Sequence, residues 1–479
     1  MEKILPRLRP LWVSAAVLSL VFVVYGRSLS GGFVFDDHHF VENNRSIRSL
    51  SNVLSFFSDP STQSDHPGLN TDIYRPLTTL SFALDHAVAG TSPAFHRTVN
   101  LLLHCCNVLL LIRLCALLGF SGPYAALAGA FFALFPTNVE SFVWISGRSS
   151  VLSTAFILCS AVFFVKRVET GDRRYMLPSA LAAAAGLFTR ETAAAVPLIA
   201  LAYVFACGRP LRSYLKDIGL YLALPAALFV LLRFAMLGRL QQAAPPDMPF
   251  SSLAAVPFLL FAKYAEIVLF PFSMMVTYTD AINARLGALA AFLPAAGALA
   301  LGYAGLTVFL RVRGQKAAAW GLLWALAALL PVLNIISIAV YAAERLLYLP
   351  LAGLGIVFAA AARGIGDGTR TRSAVMAAAG GLFLLYAVNI QDRLKVWRDD
   401  VSLWSYDSAR NPGNFLSLLR LADALRAAGD RRGSYTALEG ALGAASDDRQ
   451  RSIVRNELGT LRAAANDLDG AEPLFRLAA

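Results

Sequence analysis

Residues 287–310 read GALAAFLPAAGALALGYAGLTVFL, a run with no charged side chain. A run of this length is enough to cross a hydrocarbon core of about 30 Å as a helix. Comparable runs occupy 9–27, 96–118, 215–237, 318–340 and 373–391, with weaker ones at 123–136, 149–166, 175–189, 192–207 and 344–362. Of the 479 residues, 57% are hydrophobic, and the mean hydropathy is +0.57. Backbone crossing a bilayer must satisfy its own hydrogen bonds, so these runs predict an all-α, polytopic helical membrane protein. The first run has a basic start (Lys3, Arg7, Arg9), as a signal peptide does. Val24-Tyr25-Gly26-Arg27 offers no small-x-small cleavage site, however, and many spans follow, so it reads as the first helix. All five cysteines fall in apolar runs, as small buried residues do, with no CxxC pattern.

The net charge of +11 is unevenly placed. Basic clusters occur around Arg7, Lys166–Arg174, Arg209–Lys216, Arg311–Lys316 and Arg363–Arg372. If they share the cytoplasmic side, as positive loops do, the N-terminus is cytoplasmic. The loop after the first span then lies outside, with loop 137–148 and the Arg190-Glu191 junction. The same parity requires 252–272 to be re-entrant or interfacial rather than spanning. It contains Lys263 and Glu266 and ends at Pro271. The count is then about eleven spans.

Two regions stand apart from the spans. Residues 28–95 form a long outer loop, of the kind that is usually functional. Leu77, Leu80, Leu84 and Val88 at its end have helical spacing and predict an amphipathic helix on the membrane surface. After residue 391 the composition shifts to short amphipathic stretches. Leu421-Ala422 to Gly433 repeats as Leu458-Gly459 to Gly470 at an offset of 37. A tetratricopeptide unit is about 34 residues, so an extension around 443–451 would account for the difference. The expected domains are 1–391, in the membrane, and 392–479, a short helical repeat domain outside it that either docks a partner protein or caps the bundle.

Charged and polar residues collect at the outer ends of the spans. Gly31-Gly32-Phe33-Val34-Phe35-Asp36-Asp37-His38-His39 follows the first span. Tyr74-Arg75-Pro76 closes the large loop. His96, Asn100, His104 and Asn107 form one stripe on the second span. Glu140 and Arg148 flank a short loop, and Arg190-Glu191 and Glu344-Arg345 sit at helix ends. Carboxylates can take a proton from a hydroxyl, and arginines grip phosphate through charge-assisted bonds. Together, beside lipid, they suit transfer from a phosphorylated lipid to a hydroxyl acceptor. Asp36 is the expected base and Asp37 its orienting partner. Arg345, Arg148 or Arg190 would hold the phosphate, and Glu191 would position one of them. Each feature also has a structural reading: a solvated loop pair, interhelical hydrogen bonds, or ion pairs at helix ends. The His38-His39 pair beside two Asp lacks further ligands at metal-site spacing, so neither metal nor cofactor is expected. No nucleic-acid signature is present.

Phe33 to Asp37, Glu42-Asn43-Asn44 and Tyr74-Arg75-Pro76-Leu77 together resemble the multi-spanning O-mannosyltransferase-like proteins that carry tetratricopeptide repeats, of the GT-C glycosyltransferase class. So do the His96–Asn107 stripe, Glu140 with Trp144-Ile145-Ser146-Gly147-Arg148, Thr189-Arg190-Glu191, Pro331-Val332-Leu333-Asn334, and Ala343-Glu344-Arg345 through Pro350. Here Arg190 replaces a lysine of the family pattern, Phe135 a histidine and Ser150 an acid. The resemblance implies an inverting enzyme that moves a mannose-like sugar from a polyprenyl phosphate to a protein hydroxyl on the extracytoplasmic face, with Asp36 or Asp37 as base. The alternatives are modification of a surface polysaccharide or lipid, and a non-catalytic scaffold acting through its repeats. The Ala-rich composition points to a bacterial inner membrane, with the tail in the periplasm.

Overall fold

The computed structural model describes residues 5–66, 73–238, 250–272, 274–336, 341–365 and 368–478. Among the described residues there is no strand, and eight helices are long and apolar enough to cross a membrane. Three shorter apolar helices (Gly122–Leu134, Glu191–Ala206 and Lys316–Val332) complete the bundle. Proline sets some of their ends. The 123–136 run stops at Leu134, just before Pro136, and the 318–340 run loses its α-helix at Leu329, just before Pro331. Residues 337–340 of that run lie outside the described residues.

The bundle has two chemically distinct ends. The helix Arg148–Thr170 starts beside Glu140 and, about 28 Å further on at 1.5 Å per residue, carries Arg167 in its last turn. At that far end Arg167 pairs with Asp217 (2.8 Å), and Arg209 with Glu169 (2.9 Å). Arg311 donates to the Phe205 carbonyl (3.1 Å) and Arg363 to that of Gly119 (3.3 Å). The basic loops thus converge on one end, while Asp36, Glu140, Arg190 and Arg345 gather at the other.

Close packing rests on small residues, because lipid supplies little apolar drive for helix association. Helices Lys316–Leu329 and Tyr348–Ile365 touch backbone to backbone. A Cβ on Gly321 would lie 2.6 Å from the Gly353 carbonyl oxygen, and one on Gly353 would lie 2.5 Å from that of Gly321.

The long loop expected at 28–95 is, over its described residues, a folded cap. Short helical turns from His38 to Gln63 lead to the helix Pro76–Ala89. Val41, Ile47, Phe56, Phe82, Ala83 and Ile145 form its own small core. On Pro76–Ala89, Phe82 and Ala83 face inward, whereas Leu84 and Val88 of the expected apolar stripe remain outside. Residues 67–72 of this loop lie outside the described residues.

Helix Phe250–Leu269 is continuous through Pro257 and, at 20 residues, long enough to span. The expectation that it does not cross turns on the connection from 239 to 249, which lies outside the described residues.

The tail comprises helices Asp400–Arg410, Phe415–Ala427, Arg431–Ala444, Asp448–Ala464 and Leu468–Ala478, the last four packed as two hairpins. The last membrane helix, Thr369–Val396, runs past residue 391. The extra residues behind the offset of 37 lie at 448–451, within the expected extension at 443–451 and at the start of a helix. Asp448–Ala464 has 17 residues where Phe415–Ala427 has 13, so the second unit carries one additional helical turn.

Replacing Gly321 by leucine should separate the two touching helices and cost about 1–3 kcal/mol or more. Thermal unfolding of the purified protein in detergent checks this; an unchanged midpoint would contradict the close contact.

Candidate active site

The segment after the first span is shaped by one strained residue. Phe35 has φ 57, the left-handed region that costs a non-glycine residue about 1–2 kcal/mol. It is held there from several sides. Its amide donates to Asp400 Oδ1 (2.7 Å), and its ring stacks on Trp144 (5.9 Å between centroids) and meets Trp404 edge-on (5.2 Å). The Gly32 amide donates to the Arg398 carbonyl (2.9 Å).

This turn gives the two adjacent carboxylates different environments. Asp37 is fully buried and accepts from the amides of Val34 (3.1 Å) and Ser146 (2.7 Å) and from Ser146 Oγ (2.6 Å). Burial outweighs these donors and pushes its pKa up to about 6. Asp36 stays partly exposed, and among the described residues no hydrogen bond or ion pair engages its carboxylate. Crowding by protein raises its pKa, against the opposing charges of Arg345, His39, Arg420 and His66. Of the two, Asp36 alone is free to take a proton.

The guanidinium nearest in charge to Asp36 belongs to Arg345. It is paired with Glu140, which also accepts from the Arg345 amide (3.0 Å), and it lies over the Trp144 ring at 5.0 Å. Its neighbour Glu344 points the other way, buried against Arg393 (2.7 Å) and the Tyr278 hydroxyl (3.2 Å). Arg190 is buried, and its side-chain bonds among the described residues go to neutral partners, Ser149 Oγ (3.0 Å) and Ser150 Oγ (2.6 Å). The charges of Arg75, Glu191, Arg345 and Glu140 all act on it. Arg75 grips Glu191 through two bonds (2.6 and 3.1 Å). Asp36, Arg345, Arg190 and Arg75 therefore belong to one electrostatic cluster, with Glu140 and Glu191 as its counter-charges. In it Glu191 is gripped by Arg75, and its charge also acts on Arg190.

Several expected site residues serve structure instead. Arg148 is fully buried. It pairs with Asp85 (2.5 Å) and donates to Asn100 Oδ1 (2.6 Å) and the His96 carbonyl (2.9 Å), with Phe82 beneath it. No donor is left over for a ligand phosphate. The stripe on Pro93–Leu117 is buried against facing segments. His96 meets Asp85 (2.8 Å), and Asn100 donates to the carbonyls of Phe142 (3.0 Å) and Ile145 (3.1 Å). His104 meets the Tyr348 hydroxyl (2.7 Å), and Asn107 donates to Val151 (2.9 Å). These are interhelical hydrogen bonds among fully buried groups. Tyr74 donates to the Phe57 carbonyl (2.8 Å) and packs on Phe188 and Phe229. Sequence reasoning missed Asp85 and Asp400, and it named Ser146 only as a letter of the Trp144–Arg148 motif, without its bonds to Asp37. Asp85 sits one residue beyond the apolar Leu84 and is the only acid on its helix, a legible signal. Asp400 carried none.

Fold and site together describe an all-helical, multi-pass membrane protein with a cluster of arginines and carboxylates at one end. The chain resembles the O-mannosyltransferase-like proteins. It is 33% identical over 195 residues to the protein O-mannosyl-transferase Tmtc2 of Drosophila melanogaster, covering 38% of this chain and 20% of that protein. It is 28% identical over 226 residues to human TMTC2 (44% of this chain, 27% of the relative) and 30% identical over 190 residues to F38B6.6 of Caenorhabditis elegans (38% and 28%). The chain thus spans between 20% and 28% of the length of these curated relatives. No family model matches it.

Removing Arg148 strands Asp85 in the interior. Arg148→Gln should destabilise the fold by about 3–5 kcal/mol, and adding Asp85→Asn should restore much of the loss. Melting curves of the single and double variants check this coupling. His38 bridges Glu42 and Asp400 (2.7 Å), and its bond to Asp400, foremost, raises its pKa to about 9 from 6.5. A raised folded pKa means the bridge stabilises fully below pH 6.5 and is lost as pH rises through about 9. His38→Asn should abolish that part of the alkaline loss of stability, measured as melting temperature against pH.

Proposed function

We propose that this protein is a polyprenyl-phosphate-sugar-dependent O-mannosyltransferase acting on protein Ser or Thr hydroxyls at the extracytoplasmic face. The observation that carries this reading is an unengaged, solvent-reachable carboxylate, Asp36, in the field of a cluster of arginines. The relatives' names, protein O-mannosyl-transferase, supply the reaction class. Convergence of the basic loops on the far end supports an extracytoplasmic site, through the tendency of such loops to stay inside. On the same parity the tail helices, bonded to the Asp36 loop, lie on that side. A bacterial inner membrane suits the composition.

In this mechanism Asp36 accepts the proton of the acceptor hydroxyl as its oxygen attacks the sugar's anomeric carbon. The bond to the polyprenyl phosphate breaks, and the sugar inverts in a single displacement. Charge grows on the departing phosphate and is met by Arg345 and Arg190. Arg190 is the better supported of the arginines beside Glu191, because its partners are the neutral Ser149 and Ser150. Arg148 has no such role. Asp37 acts through position, by fixing the turn that presents Asp36.

Asp36→Asn should lower transfer of labelled mannose from a polyprenyl phosphate about 10²–10⁴-fold with melting unchanged. Asp37→Asn should lower both transfer and stability. The check is turnover in reconstituted vesicles beside a thermal melt, and a fully active Asp36→Asn variant would remove the base. Protonation of Asp36 should give an acid limb whose midpoint lies above 3.8, the value of a free aspartate.

A further inference from the structure

At the start of the Gly31–Asp37 segment lies a second group of cations, which does not include Arg345. A pocket of about 200 Å³ opens where the first helix ends against the end of Thr369–Val396. Arg27, Arg97, Lys395 and Arg398 line it with Gly31 and Gln391, and no carboxylate does.

Arg97 is the unusual member. It is 1% exposed, and its guanidinium donates to three carbonyls: Ser28 (3.2 Å), Gly32 (2.6 Å) and Trp397 (3.0 Å). No carboxylate touches it, and its Nε has no partner. Asp37, whose charge acts on it from a distance, is committed to Ser146 and Val34. An unpaired charge in the interior is costly, and carbonyl dipoles offset only part of the cost. Arg27 is exposed and also has no acidic partner among the described residues. Lys395 and Arg398 meet only the surface carboxylates Asp392 (2.7 Å) and Asp399 (2.8 Å), contacts of little strength in water. The pocket floor stays open because position 31 is glycine. A Cβ there would lie 2.7 Å from the Arg97 Cζ.

The pocket also has a defined position relative to the bilayer. Val23 (79% exposed) lies one turn before Arg27 on the first helix, and Leu384 (68%) and Val388 (60%) lie before Gln391 on Thr369–Val396. These side chains face outward on apolar spans, so a lipid-facing surface leads up to a cationic recess. We propose that this pocket binds the phosphate of an anionic membrane lipid, with the acyl chains along Val23, Leu384 and Val388. The site is distinct from the Arg345 cluster and does not depend on the sugar chemistry. Phosphate is the group that fits, since guanidinium and ammonium donors converge on it from several directions.

The test uses the full chain in detergent with equal amounts of phosphatidylglycerol and phosphatidylcholine, read by native mass spectrometry. The protein should retain phosphatidylglycerol about tenfold over phosphatidylcholine, and Arg27→Gln with Arg398→Gln should bring the ratio near one. Arg173→Gln with Arg174→Gln, at the opposite end, should leave it unchanged. An equal drop in that control would reduce the effect to general basicity and overturn the proposal. So would displacement of the lipid by excess inorganic phosphate, which would assign the pocket to a soluble anion.

Discussion

Asp37 is the point on which the outer end of the molecule depends. Its carboxylate is buried, yet three donors from two segments converge on it. They tie the residues just past the first helix to the loop before Arg148. A buried carboxylate so bonded resists displacement, because any shift strands both charge and donors. With Asp37 fixed and Phe35 in the left-handed region, Asp36 has no partner to turn toward. The different surroundings of the two aspartates thus arise from the burial of one of them.

Charge compensation in the interior follows the same logic. Arg148–Asp85, Arg393–Glu344 and Arg167–Asp217 are buried pairs that span separate elements. Each would be strongly destabilising if halved, and each fixes the relative position of two helices. Arg190 breaks the pattern by donating to two serine hydroxyls. It lies in the field of Arg75 and Arg345 and of their counter-charges Glu191 and Glu140. The structural pairs hold a rigid frame around the few cations that are not fully compensated.

Much of this is legible in the sequence. The spans are, because few structures besides a membrane-crossing helix use an apolar run near twenty residues. The Asp pair is also legible, and so is the gathering of acid and guanidinium groups at one end, since the basic loops fix the parity. What each arginine does is not. Arg148 and Arg345 look alike as letters at helix ends. The difference lies in Asp85, 63 positions before Arg148 and beyond the reach of any spacing rule. The stripe from His96 to Asn107 has the period of a ligand-lining face and equally that of a helix–helix seam. Only the carbonyls of Phe142, Ile145 and Val151 on the facing segments decide for the seam. The added turn at the start of Asp448–Ala464 falls in the 443–451 extension that the repeat offset points to, though the offset does not say that it lengthens a helix.

The tail is built into this end rather than appended to it. Asp400 accepts from the Phe35 amide and from His38, and Arg398 supplies the carbonyl for Gly32. Asp407 is fully buried and accepts from Val276, Thr277 and Ser417, tying the tail helices to the segment that also presents Tyr278 to Glu344. The strained conformation of Phe35 persists only while Asp400 and Trp404 hold it, for an isolated loop would relax to an ordinary φ. The first tail helix is therefore part of the machinery that presents Asp36. The tail and the loop that carries Asp36 share one anchor, so a shift of the first tail helix reaches that loop directly, without requiring any large motion.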